Sequence, residues 1–271
     1  MSTNRRGLAL GWLVLGLAVA ACLGWAAFPS SGLYTRVLTP HRLLVLASAL
    51  KLAYQLAGTA FAFQCREHLE ADNPARPAWF LLSLGLLSTF AGQLCLAPFQ
   101  LVRNETPFPS VADIYFLLSY PLLIAALILL LHAYRESGFP IGSAAERVGI
   151  LAGVAAIALV VAATILPPVA GAGGPLLDRA LTMAYPVLDL VLLLPLALLL
   201  RVALRLRGSR AGEVWLLLMG GFVFLGVGDA CFAYFQSLGE AHLDPFVHTT
   251  YILSYGLIAG GAHRQLELLK S

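Results

Sequence analysis

The chain has 271 residues, 59% hydrophobic and 11% charged, with a formal net charge of +3 and a mean hydropathy of +0.84. Soluble domains carry about 25% charged residues. Too little charge is present to cover a water-facing globule of this size, and no free-standing basic stretch offers a nucleic-acid surface. The apolar runs are about 20 residues long and do not alternate, which selects membrane-spanning helices over a β-barrel.

In chain order the pattern predicts spans over 7–28, 43–63, 79–101, 111–131, 148–166, 180–200, 214–235 and 247–262. The connectors carry the breakers: Pro29-Ser30-Ser31-Gly32, Asn73-Pro74, and the stretches 107–110, 138–142 and 167–175. With the N-terminus placed in the cytoplasm, the inner segments hold Arg5, Arg6, Arg66, Arg76, Arg135, Arg147, Arg201, Arg205, Arg207, Arg210, Arg264 and Lys270. The outer segments hold only Arg36, Arg42, Arg103 and Arg179. Eight spans then put both termini in the cytoplasm. The first span has a second reading, because Arg5-Arg6, an apolar stretch and Val19-Ala20-Ala21-Cys22 resemble a bacterial lipoprotein signal. The apolar run continues through Trp25 to Phe28, which favours a span.

A repeat sets the expected architecture. At an offset of 136, Trp79, Gly85, Gly92, Cys95, Phe99 and Gln100 meet Trp215, Gly221, Gly228, Cys231, Phe235 and Gln236. At 135, Leu118-Ser119-Tyr120 meets Leu253-Ser254-Tyr255. Each unit holds four spans, an even number, so both halves enter the membrane in the same orientation. The expected fold is therefore an all-α polytopic membrane protein: one membrane domain made by parallel tandem duplication of a four-helix unit, residues 1–138 and 139–271. The small-xxx-small pairs Gly7/Gly11, Gly149/Gly153 and Gly256/Gly260 are expected to let helices approach closely within the bundle.

Ionisable groups inside lipid are costly and tend to mark function. Lys51 and Asp189 lie at similar depth in the equivalent second and sixth spans, and we expect them to form an intramembrane ion pair. Nearer the outer side, Gln93 and Asp229 are equivalents at offset 136, and Asp113 and His248 at offset 135. These four are expected to form a polar layer that binds a ligand or a proton. Asp113 follows Pro109-Ser110 and is also placed to cap the fourth span. Tyr54, Gln55, Tyr120, Tyr185, Tyr251 and Tyr255 are expected to line the same cavity. The four cysteines form no metal-ligand cluster, and no catalytic signature is present. No metal site, no catalytic residue and no particular cofactor is expected.

The stretch Pro109-Ser110-Val111-Ala112-Asp113-Ile114-Tyr115-Phe116-Leu117-Leu118-Ser119-Tyr120-Pro121-Leu122 resembles a signature in the multi-span N-terminal membrane regions of bacterial diguanylate cyclases and histidine kinases. Ala184-Tyr185-Pro186-Val187-Leu188-Asp189 resembles a second element of those regions. The resemblance covers roughly residues 43–265. It implies a bacterial inner-membrane input module that acts on a cytoplasmic signalling partner, in this family a GGDEF, EAL or kinase output domain. None of those output segments follows the last span here: either the module acts alone, or it signals through a separate partner, or the chain is a fragment of a longer protein.

Together these features predict a non-enzymatic sensor-like or ligand-binding module in the lipid bilayer, taking a small molecule or ion through a polar cavity in its outer half. A transporter or channel for a small solute or ion is the alternative. A lipid-modifying membrane enzyme ranks below both, as does a chromophore held by Lys51 with Asp189 as counter-ion.

Overall fold

Four of the long helices begin where the sequence supplies a side-chain cap. Thr39 accepts from the Arg42 amide ahead of Pro40, Ser110 with Asp113 and Ser143 with Glu146 form capping boxes, and Ser209 accepts from the Gly212 amide. Gly239, at φ 71°, closes the helix that Ser209 opens. The computed structural model describes residues 2–103, 105–138, 142–171, 173, 175–206, 208–239 and 244–271. Arg207 and His242 lie outside the described residues, as do the side chains of Arg5 and Arg6 and the surroundings of Gly7.

The elements among the described residues are all helices: α1 (Ser2–Ala27), α2 (Gly32–Arg36), α3 (Pro40–His68), α4 (Arg76–Pro98), α5 (Val111–Glu136), α6 (Ala144–Thr164), α7 (Leu166–Gly171), α8 (Leu176–Arg205), α9 (Arg210–Leu238) and α10 (Asp244–Leu269), with a π-helical turn, Phe99–Arg103, continuing α4. Among the described residues seven stretches are long and apolar enough to cross a membrane: Leu10–Ala27, Pro40–His68, Arg76–Arg103, Val111–Glu136, Ala144–Gly171, Leu176–Val202 and Arg210–Leu238. Helix α10, the eighth span expected from the sequence, is not among these seven. It packs against α9, α3 and α1 and buries Thr249, Thr250 and Ser254. Protein covers much of it, so its composition is not set by contact with lipid.

The packing order closes a ring. α3 lies on α4, α4 on α5, α5 on α8, α8 on α9, α9 on α10, and α10 returns to α3. α1 sits outside against α10 and α3, and α6 sits outside against α8. The ring's core joins Trp79, Leu82 and Leu86 of α4 to Leu123 and Leu127 of α5, Leu192 and Leu196 of α8, Trp215 and Phe222 of α9, and Ile258 of α10. A second cluster sets Leu15, Ala18 and Cys22 of α1 against Leu43 and Ala47 of α3 and Ile252 of α10. Lipid tails are as apolar as these side chains, so close fit rather than exclusion from water holds the helices together.

Glycines set the tightest crossings. A Cβ on Gly85 would lie 2.7 Å from the Leu123 side chain, and one on Gly221 would lie 2.5 Å from Ile258 and 2.9 Å from the Ser254 carbonyl oxygen. Gly256 and Gly260 admit Leu15 and Trp12 of α1. Gly11, Gly149 and Gly153 do not serve as expected, because a Cβ at each would meet nothing within 4 Å. At the end away from the α4–α5 and α9–α10 connections, Arg201 meets Glu146 at 2.5 Å and joins α8 to α6. Arg264 meets Glu213 at 2.8 Å and joins α10 to α9.

Candidate functional site

At the α4–α5 and α9–α10 end the ring opens into a cavity of about 170 Å³. Sites for drug-sized ligands span about 300–1,000 Å³, so this one suits a small solute. Its wall holds Lys51, Gln93, Asp113, Asp229 and His248 together with Tyr120, Tyr185, Tyr251 and Tyr255. Six helices, α3, α4, α5, α8, α9 and α10, contribute these side chains, none adjacent in sequence.

Each carboxylate is held by a tyrosine from another helix or from farther along the chain. The Tyr185 hydroxyl donates to Asp113 Oδ1 at 2.6 Å, while Asp113 Oδ2 accepts from the Ser110 amide at 2.6 Å. One residue thus caps α5 and ties it to α8. The Tyr251 hydroxyl donates to Asp229 Oδ1 at 2.6 Å. The Tyr120 oxygen lies 2.8 Å from Asp229 Oδ2 and 2.9 Å from Asp189 Oδ1. Around Gln100, on the π-helical turn, Ser48 Oγ and Gln93 Nε2 both donate to Oε1, at 2.7 and 2.8 Å.

Lys51 is 4% exposed. Its ammonium lies 5.9 Å from the centre of the Tyr251 ring, within cation–π range, and among the described residues no ion pair or side-chain hydrogen bond holds it. The Lys51–Asp189 ion pair expected from the sequence is not formed. Counting residues gave both the same depth. The ring, however, places α3 next to α4 and α10, and α8 next to α5 and α9. The Tyr251 and Tyr120 side chains occupy the positions through which the two would meet, and Asp189 lies against Gly226 of α9 instead.

Two other expected lining residues lie off the wall. Tyr54 turns to α1 and donates to the Gly11 carbonyl at 3.0 Å. Gln55 is 1% exposed, and neither polar atom of its amide has a hydrogen-bond partner. The wall also holds residues not singled out for function from the sequence: Gln100, Gln236, Thr89, Phe108, Phe116 and Phe232. The first two were visible as a repeat match, and that shared glutamine was the available signal. Among the described residues no group of three or more metal-ligating side chains comes together. Cys95 and Cys231 are free thiols.

Compared with known proteins, the chain matches no family model, no curated protein and no solved structure.

Proposed function

We propose that this protein is a non-enzymatic, sensor-like ligand-binding module of a bacterial inner membrane. It crosses the membrane eight times as two parallel four-helix repeats that share one polar cavity facing the outer side. One observation carries the reading: seven pairs of repeat-equivalent positions lie on the cavity wall. At offset 136 these are Thr89 and Leu225, Gln93 and Asp229, Leu96 and Phe232, and Gln100 and Gln236. At offset 135 they are Asp113 and His248, Phe116 and Tyr251, and Tyr120 and Tyr255.

The crossings agree with this pairing. Gly85 and Gly221 admit Leu123 and Ile258, and Gly92 and Gly228 admit Phe116 and Tyr251, with glycines related at 136 and partners at 135. The chemistry of the paired wall positions has diverged: glutamine faces aspartate, aspartate faces histidine, and phenylalanine faces tyrosine. A symmetric frame with asymmetric polar groups suits recognition of one small, asymmetric solute. The termini lie in the cytoplasm, where a separate signalling partner reads the liganded state.

Native mass spectrometry of the detergent-purified protein tests the reading. A stoichiometric small molecule or ion on the wild type, lost on Asp229→Asn, is expected. A bare chain after incubation with cell extract, with the same spectrum for both proteins, would count against it.

A transporter is the second reading. Its support is the chain of side chains from Lys51 over Tyr251 to Asp229, Tyr120 and Asp189, which runs across the bundle from α3 to α8. Such a chain can relay protons. Solute flux into liposomes above background, abolished by Asp189→Asn, would favour transport over sensing.

A further inference from the structure

We infer that the cavity holds its solute by an anionic group, a carboxylate, seated on the Lys51 ammonium. This rests on the reading of the cavity as a ligand site and assigns the chemistry of what enters it.

The polar groups of the wall differ in what they still have to offer. Asp113 has Tyr185 on one oxygen and the Ser110 amide on the other. Asp229 has Tyr251 on one oxygen and Tyr120 on the other. Every oxygen of these two carboxylates therefore already accepts a hydrogen bond of 2.8 Å or shorter, so an amine would share acceptors that the wall itself uses. Lys51 is the reverse case. It is 4% exposed, lies on the cavity wall, and meets no carboxylate among the described residues. Its ammonium lies over the face of Tyr251. On the same wall, His248 Nδ1 is buried without a hydrogen-bond partner. A buried ammonium without a counter-ion is costly in a membrane interior. A carboxylate on Lys51 would offset that cost, and its second oxygen would give the His248 ring a partner.

The rest of the wall limits size. Phe108, Phe116, Phe232 and Leu96 supply apolar surface, and about 170 Å³ leaves room for a short chain or a single ring beyond the carboxylate. The commitment is therefore to a short carboxylate rather than a lipid acyl chain.

The test is titration calorimetry on the full chain in a non-ionic detergent, with benzoate, benzamide and benzylamine as probes of matched size, and acetate, hexanoate and oleate as a length series. The expected result is saturable binding of benzoate or hexanoate with no binding of benzamide or benzylamine. On Lys51→Met, affinity is expected to fall by about tenfold to a hundredfold. Tryptophan-fluorescence melting of the variant establishes that it folds, and the comparison among probes on the wild type needs no variant. Binding that levels off by hexanoate agrees with a short carboxylate, whereas affinity that keeps rising to oleate overturns that part of the assignment in favour of a lipid-derived one. Binding of benzylamine or benzamide without benzoate overturns the anion assignment and leaves the cavity as a ligand site. No binding by any probe, with a bare chain in native mass spectrometry, overturns both.

Discussion

A phenol has one proton to give, and the Tyr120 hydroxyl has two carboxyl oxygens in reach, on Asp189 and Asp229. Both short contacts are satisfied when one of the two acids is protonated and donates back to the phenol oxygen. Replacing Tyr120 by phenylalanine removes the shared group from two carboxyls inside the bundle. We expect a loss of about 2–4 kcal/mol, measured by unfolding in mixed micelles. Tyr54→Phe, which gives up one bond to the Gly11 carbonyl, is expected to cost about 0.5–1.5 kcal/mol. Equal losses in the two variants would mean that Tyr120 is no more than an ordinary hydrogen-bonding residue. At this scale the sequence told which residues were polar and how deep they lay, because span boundaries fix depth. It did not tell which direction around each helix they faced. That is why Gln93, Asp113, Asp229 and His248 were grouped from the sequence as they now lie on one wall, whereas Lys51 and Asp189 were paired across a space that tyrosines fill.

Between elements, the backbone approach at glycine decides which helices are neighbours. Gly221→Ala sets a methyl against the Ser254 carbonyl and Ile258, and a backbone atom cannot turn aside as a long side chain can. It is expected to destabilise by about 1–3 kcal/mol in the same unfolding assay. Gly153→Ala meets nothing within 4 Å and is expected to stay within about 0.5 kcal/mol of wild type. A costly Gly153→Ala with a silent Gly221→Ala would overturn the helix order described above. Spacing alone did not distinguish these cases, since Gly149/Gly153 and Gly256/Gly260 carry the same pattern, yet only the second pair receives a neighbouring helix. The helix starts were more legible, because Ser110 with Asp113 and Ser143 with Glu146 announce their caps locally. The weakest expected span, 247–262, lies in the helix that packs on three others. Its buried threonines, serine and glycines serve helix contacts and dilute the apolar signal.

For the whole molecule, composition alone led to a helical membrane protein, and seven stretches of the described chain have the length and apolarity for it. Two proposals remain bound together: that the halves are parallel repeats, and that their shared cavity opens to the outer side. Leu96 and Phe232 are repeat equivalents on opposite halves, and both lie on the cavity wall. The most direct measurement introduces Leu96→Cys and Phe232→Cys, one at a time, into a chain whose four native cysteines are replaced, and labels each with a membrane-impermeant thiol reagent applied to either face of the membrane. The account predicts that both positions react from the outer face and neither from the cytoplasmic face. Labelling of the two from opposite faces would contradict parallel repeats, and protection of both from either face would contradict a cavity open to water.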